Sequence, residues 1–188
     1  MTTHRILAFA GSTRRDSFNR RLLTIAVGMA REAGLDVDHV ELADYPVPIF
    51  NEDLEAEQGQ HPNATRMRRK LGEADGLLLA CPEYNSSITP LMKNVIDWMS
   101  RAEQGGSGVE VYSGKRALLL GASPGRLGGQ RAIATVADIL GNIGVEVMDD
   151  TFSLPSAADA FDGAELADED LHAALGERIR AFRRFMTR

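Results

Sequence analysis

Short apolar runs alternate with longer amphipathic segments along most of the chain. The apolar runs, which we interpret as strands, are residues 6–10, 37–42, 76–81, 116–121 and 145–148. The amphipathic segments, in which apolar side chains recur with the period of an α-helix, are residues 18–33, 63–74, 89–101, 128–142 and about 168–188. Strands that alternate with helices are typical of a doubly wound α/β domain. Nearly continuous apolar strands indicate a parallel sheet covered on both faces.

Two stretches follow neither pattern. Residues 43–62 contain Pro46, Pro48 and several acidic side chains, and residues 153–167 are rich in alanine and aspartate. Irregular segments of this length in a compact domain are usually functional or mobile. The sequence leaves the role of both stretches open.

The composition agrees with one globular domain over residues 1–188. Hydrophobic residues make up 44% of the chain and charged residues 26%, which is near the average for folded domains. The net charge of −6 disfavours a nucleic-acid partner, because phosphate backbones bind basic surfaces. One cysteine excludes an internal disulfide, and no apolar stretch approaches the length of about 20 residues that spans a membrane. We therefore expect a cytoplasmic protein without a membrane partner.

The segment after the first strand carries groups suited to a phosphate. In open α/β sheets, ligands bind beyond the carboxyl ends of the strands, and residues 11–19 lie at such an end and lead into a helix. Helix N-termini present free N–H groups and a partial positive charge. The side chains predicted to complete a cage for a phosphate monoester are Ser12, Arg14, Ser17 and Asn19. The alternative is that Ser17 only caps the helix and that the arginines are solvated.

Two further loops follow the third and fourth strands. Residues 82–90 combine an aromatic ring, an amide and hydroxyls, which suit the edge of a flat heteroaromatic ring. The alternative is a plain turn with Tyr84 on the surface. Residues 121–129 are rich in glycine, which permits close approach either of a ligand or of a helix to a strand. If the three strands are neighbours, their loops converge on one crevice that suits a mononucleotide with a flat ring.

Four segments carry a family resemblance. They are Gly11-Ser12-x-Arg14-x-x-Ser17-x-Asn19, Pro82-Glu83-Tyr84-Asn85-x-Ser87, Leu91-Met92-Lys93-Asn94-x-Ile96-Asp97-Trp98 and Gly128-Gly129-x-Arg131-Ala132. Together with residues 51–54, they resemble the NADPH-dependent FMN reductase family, which includes quinone, azo-dye and chromate reductases. The resemblance covers about residues 5–148. One departure is Thr89-Pro90, where many members have Pro-Gly, and it leaves the expected flavin contacts in place.

The resemblance implies a flavodoxin-like fold, with a five-stranded parallel sheet in the order 2-1-3-4-5 and helices on both faces. It implies FMN and NADPH as cofactors, with NADH as an alternative donor. The phosphate ligands that it implies are Ser12, Arg14, Ser17 and Asn19. The residues that it implies along the isoalloxazine ring are Pro82, Glu83, Tyr84, Asn85 and Ser86, with the other edge closed by Ser123, Gly125 and Gly128.

The implied reaction is ping-pong hydride transfer. NADPH reduces the flavin at N5, NADP⁺ leaves, and a small acceptor takes the electrons in the same space. The acceptor is a quinone, an azo compound, a metal oxyanion or free flavin. The flavin carries the chemistry, so no catalytic side chain and no metal ligand are assigned.

Two other functions stay open. One is a flavodoxin-type electron carrier, which usually sandwiches the flavin between aromatic rings. Tyr84 is the only aromatic side chain in the three loops, which disfavours such a carrier. The other is a flavin-free α/β protein that binds a different phosphate monoester.

Several conspicuous side chains are interpreted as structural. Cys81 ends a buried strand, and a cysteine phosphatase would need an arginine at position 87, where this chain has Ser87. A basic run near a helix end is typical of a solvated helix face, with contact to a nicotinamide 2′-phosphate as the alternative. The members of this run are Arg66, Arg68, Arg69 and Lys70.

The amphipathic segment 89–101 predicts self-association. Its apolar side chains fill an arc of about 160°, which is wider than the stripe of about 100° that one core requires. Tryptophan and methionine are favoured at interfaces, so we expect Trp98 and Met99 to contact a second subunit in a homodimer or homotetramer. The alternative is a core helix that the rest of the domain covers.

Overall fold

The computed structural model describes residues 3–187, which form an α/β fold. The strands are Arg5–Ala10 (β1), Asp36–Val40 (β2), Gly76–Ala80 (β3), Glu83–Tyr84 (β4), Ser87–Ile88 (β5), Arg116–Ala122 (β6), Glu146–Val147 (β7), Phe152–Leu154 (β8), Phe161–Asp162 (β9) and Glu165–Leu166 (β10). The helices are Phe18–Glu32 (α1), Glu52–Gln58 (α2), Pro62–Glu73 (α3), Pro90–Met99 (α4), Gln130–Asn142 (α5) and Glu169–Phe185 (α6). All five helices predicted from the apolar period are confirmed.

The central sheet has the expected topology. Its parallel strands lie in the order β2-β1-β3-β6-β7, so the three strands that precede the candidate loops are neighbours. Ile6 of β1 lies beside Gly76 of β3, and Gly76 lies beside Arg116 of β6. The carboxyl ends of these three strands therefore lie together at one edge of the sheet.

The fifth strand of the sheet is divided into two pieces. β7 pairs with β6 as far as Ala117, to whose carbonyl oxygen the Met148 N–H donates at 2.8 Å; β8 pairs with β6 from Leu120 onward, and residues 149–151 lie between the two pieces. The strand predicted at 145–148 is therefore only the first piece. Asp149 and Asp150 are exposed where the strand would continue. This polar pair interrupts the apolar run, so the sequence pattern does not predict the second piece, β8.

The two irregular stretches contain short regular elements. The first holds a turn of 3-10 helix at Leu42–Asp44 and helix α2, whose first turn is capped by the Asn51 side chain accepting a hydrogen bond from the Asp53 N–H at 2.8 Å. The second holds β8 and an antiparallel hairpin of β9 and β10. Most side chains of α2 are exposed, so no apolar period marks this helix.

Alternate residues of the buried strands pack on opposite faces of the sheet. Ile6 and Ala8 of β1 face a core shared with α1 and α6, whereas Leu7 and Phe9 face a core shared with α3, α4 and α5. Both faces are thereby covered, as the continuous apolar runs predict. Between residues 3 and 187, the structure contains no helix that is long and apolar enough to cross a membrane.

The interface predicted on Trp98 and Met99 is wrong, because the chain itself buries both side chains. Trp98 is only 1% exposed, and its ring packs edge-on against Phe50 with 5.1 Å between the ring centroids. Its indole N–H donates to the Pro48 carbonyl oxygen at 2.8 Å. Residues 48–60 thus cover α4, which explains the wide apolar arc. The oligomeric state itself stays a prediction.

A buried ion pair connects residues 48–60, which cover α4, to the chain just after α4. Glu55 of α2 is buried and accepts hydrogen bonds from the Arg101 Nε at 3.0 and 3.2 Å. The Arg101 guanidinium also lies 5.3 Å from the centroid of the Phe50 ring. Both contacts hold the segment before α3 against the outer side of Trp98.

Candidate functional site

Three loops meet at the carboxyl edge of the sheet, as predicted. We call them the β1 loop (residues 11–17), the β3 loop (residues 81–89) and the β6 loop (residues 123–129). The Thr89 hydroxyl of the β3 loop donates to the Gly11 carbonyl oxygen of the β1 loop at 2.7 Å. A Cβ on Gly129 would lie 3.3 Å from the Cys81 carbonyl oxygen, so the β3 and β6 loops are also in contact.

The β1 loop turns directly into the N-terminus of α1. Ser17 is the N-cap, and its hydroxyl oxygen accepts a hydrogen bond from the Arg20 N–H at 3.5 Å. The Ser12 hydroxyl oxygen accepts from the Arg14 N–H at 3.3 Å. The first turn of α1 has no acidic side chain, so its partial positive charge is not neutralised there. Neither hydroxyl donates a hydrogen bond within residues 3–187, so both hydrogens are available to an anion; Ser12 is half-buried, and Ser17 is 3% exposed.

The Arg14 guanidinium is exposed and available to an anion, and it contacts the neighbouring Phe18 ring. Its side chain is exposed, and among residues 3–187 it has no carboxylate within 4.0 Å. Its guanidinium carbon lies 5.6 Å from the centroid of the Phe18 ring. Arg20, in contrast, donates through Nε to Glu41 at 2.9 Å and through Nη1 to the Arg14 and Arg15 carbonyl oxygens. Arg20 therefore stabilises the backbone of the β1 loop.

The Asn19 side chain connects the start of α1 to the end of β6, and its role as a phosphate ligand stays a prediction. Its side-chain amide donates to the Ala122 carbonyl oxygen at 2.8 Å, and its side-chain oxygen accepts from the Ala122 N–H at 3.0 Å. The residue is 4% exposed. These two bonds join the start of α1 to the end of β6 and use the side-chain oxygen and one of the two side-chain N–H groups.

The β3 loop contains a regular hairpin. β4 and β5 pair through Tyr84 and Ser87, which leaves a turn of two residues, Asn85 and Ser86. Both have positive φ, 50° and 67°, as a type I′ hairpin turn requires, and asparagine is favoured there. Asn85, Ser86 and the Tyr84 ring, which is 56% exposed, lie at the open edge of the loop. Pro82, in contrast, is buried at its base.

An ion pair ties this hairpin to the start of α5. The Glu83 carboxylate accepts from the Arg131 N–H at 3.2 Å and from Nη1 at 3.4 Å, and the same Nη1 donates to the Ser86 hydroxyl at 2.8 Å. The carboxylate of Glu83 therefore faces α5, and its backbone is the part left to line a ring. Arg131 thus has a role at the site that is not predicted from the sequence. Its place in the Gly128-Gly129-x-Arg131 segment was the signal that could have found it.

The glycines of the β6 loop serve different purposes. Gly128 has φ +58°, and a Cβ there would lie 2.8 Å from backbone atoms of Leu154 and Pro155. It permits close packing of the loop on β8, and its place along the flavin ring stays a prediction. Gly125 is exposed, with only the Ser123 hydroxyl near its Cβ position, and its N–H donates to that hydroxyl at 3.2 Å. Ser123 and Gly125 therefore stay at the open edge.

The structural interpretations of the remaining side chains agree with the contacts. Burial raises the pKa of the Cys81 thiol, as expected of a core residue. Arg66 lies over the Tyr45 ring at 4.6 Å and donates to Asn63. The other members of the basic run are neutralised within the chain, in the ion pairs Arg68–Glu110, Arg69–Glu73 and Lys70–Asp38.

A parallel sheet in this strand order, covered on both faces and with its ligand loops at the carboxyl edge, defines a flavodoxin-like protein. The sequence model of the NADPH-dependent FMN reductases matches residues 4–159. The chain therefore belongs to the NADPH-dependent FMN reductase family.

Individual relatives agree with this membership. An NAD(P)H-dependent FMN reductase of Pseudomonas aeruginosa is 34% identical over 187 residues, which cover 98% of this chain and 96% of the relative. An NAD(P)H:quinone oxidoreductase of Solanum tuberosum is 36% identical over 128 residues, or 67% of this chain and 62% of the relative. The solved structure of FerB, a flavoenzyme NAD(P)H:(acceptor) oxidoreductase from Paracoccus denitrificans, matches with a TM-score of 0.83 at 26% identity and 98% coverage of both chains.

The chain is accordingly an oxidoreductase whose cofactors are FMN and NAD(P)H. The residues present fit FMN. The β1 loop offers a free guanidinium and two hydroxyls for one terminal phosphate, and the β3 and β6 loops offer exposed backbone beside it. Family membership sets aside both the electron carrier and the flavin-free phosphate-binding protein.

Proposed function

We propose that this enzyme transfers hydride from NADPH to bound FMN and then passes the electrons to a small quinone-like acceptor, in ping-pong order. The observation that supports the proposal best is the free Arg14 guanidinium. It lies in the loop that enters α1, beside a hairpin that other residues already hold in place. FMN, when bound, supplies the redox chemistry by accepting hydride and releasing electrons.

The β1 loop binds the phosphate of FMN in this proposal. The Arg14 guanidinium pairs with the phosphate charge, and the Ser12 and Ser17 hydroxyls donate hydrogen bonds to its oxygens. The N–H groups at the start of α1 add to this attraction, because a helix N-terminus is a favourable site for an anion. Asn19 contributes its second side-chain N–H to the phosphate in this proposal, and its two bonds to Ala122 keep the loop beside β6.

The β3 and β6 loops bind the isoalloxazine ring. The backbone of Pro82, Glu83 and Tyr84 and the Asn85–Ser86 turn lie along one edge, and Ser123 and Gly125 lie along the other. Backbone N–H groups at a ring edge stabilise the negative charge that develops there during reduction. The hairpin is held by Arg131 and Thr89, so these groups are positioned before the ring binds.

The acceptor class follows from the side chains at the rim. Tyr84 of the β3 loop and Leu127 of the β6 loop are large apolar residues that are 56% and 41% exposed. Such a rim favours flat apolar acceptors, and quinone oxidoreductases are among the relatives. The nicotinamide and the acceptor use the same open face in turn, which is why we propose ping-pong order.

Anaerobic stopped-flow spectroscopy tests this function. NADPH alone should bleach the flavin absorbance in a single turnover, and a benzoquinone added afterwards should restore it. Steady-state rates should give parallel double-reciprocal lines. Flavin that stays oxidised with excess NADPH, or intersecting lines that show a ternary complex, would contradict the proposal.

We also propose a homodimer or homotetramer whose interface includes Ile49 in place of Trp98 and Met99. Ile49 lies on the segment that covers α4 and is 72% exposed, whereas its neighbour Phe50 packs on Trp98. Burial of such a side chain against a second copy is favourable. Light scattering that shows a monomer at micromolar concentration would remove this proposal.

Replacement of Arg131 by alanine should weaken FMN binding by about 1 kcal/mol, because the hairpin loses a charged hydrogen bond to Ser86 and the partner of Glu83. Fluorescence titration of the apoprotein with FMN measures the change. Arg126→Ala removes the same charge from an exposed position in the β6 loop and is the matched control, which should bind as wild type. Equal FMN affinities for the two variants would show that the contacts of Arg131 with Glu83 and Ser86 do not support FMN binding.

A further inference from the structure

A ladder of four side chains joins the β9–β10 hairpin to the β1 loop. We call it the ring ladder, and it consists of Arg14, Phe18, Phe161 and Arg21. The Arg14 guanidinium carbon lies 5.6 Å from the Phe18 centroid, and the Phe18 ring is stacked on Phe161 with 6.1 Å between centroids and 7° between planes. On the far side, the Arg21 guanidinium carbon lies 4.2 Å from the Phe161 centroid.

The hairpin that carries Phe161 is anchored without the ladder. Leu166 and Ala160 are buried in the core shared with α1 and α6, and the Ala167 N–H donates to the Ala160 carbonyl oxygen at 3.0 Å. Upstream, the Ala157 N–H donates to the Ser123 carbonyl oxygen at 3.0 Å. The segment therefore starts at the β6 loop and returns to the first turns of α1. Its position does not depend on the Phe161 ring.

Arg21 fixes the outer end of the ladder. Its guanidinium donates to the Gly163 carbonyl oxygen in the hairpin turn and covers the face of Phe161. A cation over each end of a stacked pair of rings is attracted by the ring quadrupole. The Phe18 ring is thereby held from behind, and Arg14 has a fixed aromatic surface to lie on.

We propose that Phe161 and Arg21 are positioning residues that hold the Arg14 guanidinium in place for the phosphate of FMN. The inference rests on the proposed function of the β1 loop and extends it to the segment of residues 153–167. An arginine side chain loses rotamer freedom when it binds an anion, and an arginine already held on a ring loses less. The ladder therefore increases the affinity for the phosphate without touching the ligand.

One member of the ring ladder, Phe161, lies beyond the part of the chain that the family model matches, and the other three lie within it. The match ends at residue 159, whereas Phe161, Gly163 and Leu166 follow it. The ladder thus joins a hairpin beyond the matched residues to the β1 loop and α1 within them. The ladder gives the β9–β10 hairpin a role in the site, because the hairpin supports the β1 loop through Phe18 of α1.

The test compares FMN with riboflavin, which lacks the phosphate, in titrations of apoprotein. Phe161→Ala and Phe161→Leu should each weaken FMN binding about three- to fivefold, the scale of one exposed cation–π contact, and leave riboflavin binding unchanged. Phe161→Tyr keeps the ring and should restore wild-type FMN affinity. Circular dichroism melting verifies that each variant is folded.

A double mutant separates positioning from a general structural effect. In an Arg14→Ala background, Phe161→Ala should cause no further loss of FMN affinity, because the side chain that it positions is gone. An additive loss, or an equal loss for FMN and riboflavin, would overturn the positioning role. Wild-type protein that binds FMN no better than riboflavin would instead contradict the proposed phosphate site itself.

Discussion

Replacing Arg14 by alanine is expected to weaken FMN binding by about 1.5–3 kcal/mol, or about 10- to 100-fold. The guanidinium is exposed, lies on Phe18 and has no carboxylate partner among residues 3–187. Its donors are therefore available to a phosphate, and charge-assisted hydrogen bonds of this kind are the strong ones. Fluorescence quenching of FMN on titration with apoprotein gives the dissociation constant directly.

Arg15→Ala is the matched control for this change. It removes the same charge from the next position, where the side chain is exposed and the backbone oxygen is held by Arg20. FMN affinity should stay within about threefold of wild type, since only a long-range charge is lost. Riboflavin should bind wild type and both variants alike. An Arg14→Ala protein with the FMN affinity of Arg15→Ala would remove Arg14 from the site.

Replacing Trp98 by alanine is expected to lower the free energy of unfolding by about 3–5 kcal/mol, the usual cost of removing a buried aromatic side chain. The ring is buried under Phe50, and its N–H is bonded to the Pro48 carbonyl oxygen. The cavity would lie between α4 and its cover, where neighbouring segments are fastened by the Glu55–Arg101 pair. Urea unfolding followed by circular dichroism measures the loss.

Trp98→Phe separates packing from the hydrogen bond. It keeps an aromatic ring against Phe50 and loses the indole N–H, so the cost should be nearer about 1–2 kcal/mol, including the unpaired Pro48 oxygen. Light scattering at native conditions should show the same assembly for Trp98→Phe as for wild type, because the residue faces its own chain. A loss below about 1 kcal/mol for Trp98→Ala would show that the side chain is not a core residue.

The sheet was predictable because its strands are buried on both faces. Ile6, Leu7 and Ala8 pack on opposite sides, yet all are apolar, so the run is continuous and bounded by polar loops. The divided fifth strand was not predictable in the same way. Its second piece, Phe152–Leu154, is separated from the first by Asp149 and Asp150, and only pairing with β6 identifies it as the same position in the sheet.

The misplaced interface shows where periodicity stops being informative. The apolar residues of α4 do form a wide arc, but an apolar face alone does not indicate which segment covers it. The cover comes from Pro48 and Phe50, about 50 residues earlier in the chain, through contacts that no local pattern encodes. Helix α2 beside them was missed because it is short and mostly exposed, with Glu55 as its buried residue.

For the candidate site, the residue types and their loops were predictable, whereas individual roles depend on tertiary contacts. Ser12, Arg14 and Ser17 lie at the helix entrance as expected from a loop that follows a strand. Asn19 also bonds to Ala122, a contact that the sequence does not indicate, because β6 lies beside the helix start. Gly128 likewise meets Leu154, a contact that exists only once β8 has paired.

The flavin itself offers the most direct test of the central claim. Protein purified without denaturation should be yellow, and mass spectrometry of the flavin released by heat should identify FMN, bound noncovalently. The account predicts this result because the β1 loop has groups for one terminal phosphate and the ring loops leave their open edge beside it. FAD as the released flavin, or protein that stays colourless after incubation with FMN, would contradict it.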